Sequence, residues 1–140
     1  MPAAATAETA ETAARFTGMF TGEPESVRDV RHAVAACLRD HPALVDDATL
    51  IASELATNAV LHSRSAGGFF TVKVTISAGW CWIECTDDGG PWVLRDPELA
   101  DRMHGLALAD TIAGQNNLDI EGDDDGRTIW VRLPLGSDAR

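Results

Sequence analysis

The chain has 140 residues, 45% of them hydrophobic, and a formal net charge of −11. That length and apolar content suit one domain with a single core. So acidic a surface repels phosphate backbones and anionic lipid, which argues against direct nucleic-acid or membrane binding and favours a basic protein partner.

In chain order, the Ala/Thr/Glu opening over residues 1–12 offers little to bury and reads as a disordered leader, with no basic start and apolar core that would make a signal peptide. The domain is expected over 13–135, followed by a short tail at 136–140. "ARFTGMFTGEP" predicts a short first strand ended by Gly22 and Pro24. "ESVRDVRHAVAACLRDHP" then places Val27, Val30, Val34, Ala35 and Leu38 at helical spacing, closed by Pro42. A second helix is predicted from about Leu44 to about Ser63, where "RSAGG" ends it. No apolar run nears the roughly 20 residues of a membrane span.

From Phe69 the period becomes two. Phe70, Val72, Val74 and Ile76 alternate with Thr71, Lys73, Thr75 and Ser77, a half-buried strand. Ala78-Gly79 signals a tight turn, and in "WCWIECTD" Cys81, Ile83 and Cys85 face inward while Trp80, Trp82 and Glu84 face outward. Asp87 shares the inward parity. A buried carboxylate is costly without a hydrogen-bonded partner, so it is either a structural cap or a ligand-binding group.

"DGGPWVLRDPELADRM" is a long Gly/Pro-interrupted connection of the kind that forms lids. A short helix is predicted from about Gly105, and "NLDIEGDDDGRTIWVRLPL" predicts two strands joined by an acidic turn, with Arg127 inward. Cys37, Cys81 and Cys85 are odd in number and lack metal-ligand spacing, as expected of reduced, packed thiols in a cytoplasm.

The second helix holds the most informative pattern. In "SELATNAVLHSRS", Glu54, Asn58 and His62 recur every four residues, one polar stripe beside the apolar face of Ile51, Leu55 and Ala59. A cation at His62 would suit a helix C-terminus. A metal-hydrolase site built on Glu54, His62 and Asp87 is a poor alternative, because no HExxH or His-rich arrangement is present.

Three separated stretches carry a resemblance. "ELATNAVLH" is similar to the N box, "IECTDDGGPW" to the first glycine box and "MHGLALAD" to the second glycine box of the ATP-binding domain shared by histidine kinases, gyrase-type ATPases and Hsp90. Within that superfamily the chain resembles the RsbW-like anti-sigma-factor serine kinases. The resemblance implies an α+β, two-layer α/β sandwich whose mixed, mostly antiparallel sheet is covered on one face by helices.

It also implies ATP and Mg²⁺ as cofactors, with Asn58 as the Mg²⁺ ligand, Glu54 as the base, Asp87 reading the adenine amine, Gly89 beside the base, and Gly105 and Leu106 at the phosphates. The implied function is an ATP-dependent serine/threonine kinase that phosphorylates a small antagonist protein and sequesters a sigma factor. A non-catalytic module of the same fold is the alternative. The boxes depart from the family pattern: Pro91 fills the last glycine slot of the first, and the second retains only Gly105 among Met103, Gly105 and Ala107. Arg127 stands where many relatives carry threonine. Finally, Trp80, Trp82 and Trp130 should line the sheet face opposite the helices, where an exposed aromatic patch would suit a homodimer or partner contact.

Overall fold

The computed structural model describes residues 14–62, 68–88, 112–114, 117–122 and 126–135. The expected leader, the lid, most of the helix after Gly105, the acidic turn and the tail lie outside them. Five strands and two long helices are found among the described residues: β1 (Ala14–Thr21), α1 (Glu25–Cys37), α2 (Pro42–His62), β2 (Phe69–Ser77), β3 (Trp80–Asp87), β4 (Leu118–Gly122) and β5 (Arg127–Pro134). The strands form one sheet in the order β1-β2-β3-β5-β4. Every ladder among the described residues is antiparallel.

α1 and α2 pack on each other and on one face of this sheet. Val30 and Val34 of α1 and Leu38 at its C-cap recur every four residues and are fully buried, as are Ala48, Ile51, Ala56 and Ala59 of α2. They meet the inward set of the strands, Phe70, Val72, Val74, Cys81, Ile83, Cys85, Ile129, Val131 and Leu133. Pro42 opens α2 instead of closing α1. Its missing N–H is no loss in a first helical turn, where no intrahelical partner exists.

β1 forms despite its glycine because Phe16 and Phe20 join the core, Phe20 stacking on Phe70 with ring centroids 5.7 Å apart. The β2–β3 hairpin closes on the expected two residues, Ala78 at φ 53° and Gly79 at φ 85°. Positive φ at both central positions is the type I′ geometry that matches strand twist. Gly122 ends β4 at φ 126°, where a Cβ would collide with the backbone of Gly126 and Arg127.

The outer sheet face departs from expectation. Trp80, Trp82 and Trp130 do face away from the helices, yet Trp82 and Trp130 are buried within the single chain, and so is Thr75. The two indoles pack at 5.4 Å between centroids. Arg132 lies 3.9 Å from the ring centroid of Trp80, a cation–π contact. Beside them Lys73 and Glu84 approach to 3.9 Å. Burial lifts the Glu84 carboxyl above its ordinary range, with Lys73 partly opposing the shift. The expected exposed aromatic patch is therefore replaced by a packed aromatic cluster.

Candidate functional site

The C-terminal half of α2 and the converging ends of β3 and β5 build the candidate site. The register between helix and sheet follows from contacts at two points. Arg15 ties β1 to the α1–α2 connection by donating to Asp40 at 2.6 Å and to the Cys37 carbonyl at 3.3 Å. Further along, the Cys85 thiol donates to the Leu55 carbonyl at 3.7 Å. From that contact, two residues along β3 lead to Asp87 and three along α2 lead to Asn58, so both lie towards the Asp87 end of the layer.

Asn58 is only 4% exposed, and its amide nitrogen has no hydrogen-bond partner among the described residues. The polar stripe thus does not face open solvent at this position. A buried, unpartnered amide costs roughly 1–3 kcal/mol, and native structures retain few such groups without a reason. Glu54, one turn earlier, is half-buried. Its carboxylate makes no hydrogen bond or ion pair among the described residues. α2 ends at His62.

Asp87 points inward as its parity requires, and what it meets was not anticipated. Asp87 and Arg127 stand opposite each other in the β3–β5 ladder. The Arg127 Nη2 donates to Asp87 Oδ2 at 2.8 Å. The Asp87 side chain is 1% exposed and that of Arg127 4%. The carboxylate assigned to the base therefore already holds a buried guanidinium. Parity marked both side chains as inward, but only the register across 40 residues of sequence could have paired them.

Gly89, Gly105 and Leu106 lie outside the described residues, as do Met103, Ala107 and Pro91. Ile112 and Ala113 are helical, at the far end of the segment expected to be a short helix. Among the described residues no group of three or more His, Cys, Asp or Glu side chains gathers as a metal site, and no helix is long and apolar enough to cross a membrane. The thiols are packing groups: burial pushes Cys81 up to about 12 and raises Cys85 further.

Comparisons with known proteins agree with this architecture. The crystal structure of the RsbU and RsbW domains of Rv1364c from Mycobacterium tuberculosis superposes with a TM-score of 0.64 at 18% sequence identity, over 85% of this chain. The match spans 32% of that longer chain, and at this identity it shows a shared fold. No curated protein sequence matches. The family model described as the histidine kinase-like ATPase domain matches residues 20–133, from the end of β1 through both helices and β2, β3 and β4 to β5. The chain belongs to the histidine kinase-like ATPase domain family.

Proposed function

We propose that the protein is a cytoplasmic, ATP- and Mg²⁺-dependent regulator that binds a protein partner and transfers phosphate to a serine or threonine of a small antagonist protein, in the manner of RsbW-type anti-sigma kinases. Membership of the ATPase domain family implies ATP binding. The observation that carries the finer reading is the buried amide nitrogen of Asn58, which has no partner among the described residues.

Mg²⁺ keeps most of its waters and takes one or two fixed oxygen donors. The Asn58 side chain fits that demand, because turning the amide about its last torsion exchanges nitrogen for oxygen at the same place. Glu54, half-buried and with no hydrogen bond or ion pair among the described residues, would accept the proton of an attacking hydroxyl. Bound ATP–Mg²⁺ would supply the phosphoryl group and neutralise its charge during transfer. The sheet below fixes α2, so both side chains are held on a rigid element. With a net charge of −11, the protein suits a partner that presents a basic surface. A homodimer is part of the proposal, but its contact is not assigned to the tryptophan face, whose central indoles are buried.

A second reading, sequestration without catalysis, is favoured by one observation. Asp87 is engaged by Arg127, so adenine does not find an uncommitted carboxylate. Steady-state hydrolysis of ATP in the presence of Mg²⁺, with water as acceptor, separates the two. Slow turnover that is lost in Glu54→Gln while ATP still binds supports the kinase. Binding with no turnover in wild type supports the sequestering module.

A further inference from the structure

The Asp87–Arg127 pair is a buried ion pair that the proposed phosphoryl transfer does not use. Adenine offers a carboxylate a neutral amine donor. Arg127 offers it a charged one, already in place at 2.8 Å and withdrawn from water. A charge-assisted bond is about twice as strong as a neutral one. The guanidinium cannot withdraw by losing its proton, and β5 holds it directly opposite Asp87. An incoming adenine must share or displace this partner.

We propose that Arg127 is a specificity-determining residue that competes with the nucleotide base for Asp87, lowering ATP affinity and weakening discrimination between adenine and guanine. This rests on the reading of Asp87 as the base-recognising carboxylate. The loss of selectivity follows from donor and acceptor patterns. A carboxylate alone accepts from the 6-amino group and repels the 6-oxo group of guanine. With a guanidinium beside it, the pair presents both an acceptor and a donor, so the 6-oxo group also finds a partner. Asp87 and Arg127 together would make a weak site tolerant of either purine, and loss of Arg127 would turn it into a tighter adenine site.

The test is calorimetric titration of the full chain with ATP and with GTP, in Mg²⁺, for wild type, Arg127→Thr and Arg127→Met. Threonine keeps the strand preference of the position, and methionine keeps most of the side-chain volume if threonine does not fold. The expected result is ATP binding tightened about tenfold or more in whichever variant folds, as befits a hydrogen bond to a charged group, with GTP unchanged or weakened. ATP affinity that is unchanged or lower in a folded variant overturns the inference. If that unchanged binding still loses its Mg²⁺ dependence in Asn58→Ala, the nucleotide site survives and the role of Arg127 alone is refuted. No binding of either nucleotide by wild type or variants overturns both.

Discussion

Replacing Asn58 by alanine should make the protein more stable while removing the Mg²⁺-dependent part of ATP binding. Three effects set the size. The unpartnered amide is relieved, a gain of roughly 1–3 kcal/mol for a buried unsatisfied group. Alanine adds up to about 0.7 kcal/mol of helix preference in the interior of α2. The small void left behind takes back roughly 0.5–1 kcal/mol. The net is a stabilisation of about 1–2 kcal/mol, or a rise in Tm of about 3–8 °C for a domain of this size. Urea unfolding followed by circular dichroism gives the free energy without reference to activity. A loss of stability of 1 kcal/mol or more would mean that the amide is satisfied in the native protein, and the argument that Asn58 waits for a ligand would fail.

Other perturbations have outcomes of different sign. Asp87→Asn removes the buried charge that accepts from Arg127 Nη2, so stability should fall, by up to about 3–5 kcal/mol in urea titrations; a loss below about 1 kcal/mol would show that the guanidinium does not depend on this carboxylate. Ala78→Asn relieves a side chain held at positive φ in the type I′ turn and should stabilise by roughly 0.5–1 kcal/mol by the same assay. The raised Glu84 carboxyl binds protons more tightly in the folded state, so its contribution is greatest at low pH and stability falls as pH rises from about 4.3 through its folded value. Glu84→Gln should flatten that part of the profile, whereas an unchanged slope would place its origin elsewhere. A thiol reagent at pH 8 should reach at most the half-buried Cys37 in the native protein and all three cysteines after denaturation; rapid native reaction at Cys81 or Cys85 would contradict their burial.

The parts of the fold that could be read from sequence are those set by short-range rules. Parity placed Cys81, Ile83, Cys85 and Asp87 on one face, and Ala78-Gly79 set the hairpin register, because a two-residue turn leaves little freedom. Helical spacing likewise found the buried faces of α1 and α2. What could not be read depends on layers meeting. The stripe of Glu54 and Asn58 was expected beside the core, but how far the sheet closes over Asn58 is a tertiary quantity. The faces of Trp82 and Trp130 were correct and their exposure was not: the two indoles touch and both are buried, and strand parity sets only the face of a side chain, never what covers it. Arg127 was placed inward near the base, while its bond to Asp87 depends on β5 entering beside β3 in one particular register.

The most direct measurement of the central claim is a calorimetric titration of the full chain with ATP, with Mg²⁺ and again with the metal chelated. Saturable binding at submillimolar ATP is expected, weakening at least tenfold without Mg²⁺, with that metal dependence lost in Asn58→Ala. Equal affinity with and without Mg²⁺, or a metal dependence that persists in Asn58→Ala, would contradict the placement of an ATP–Mg²⁺ site on α2.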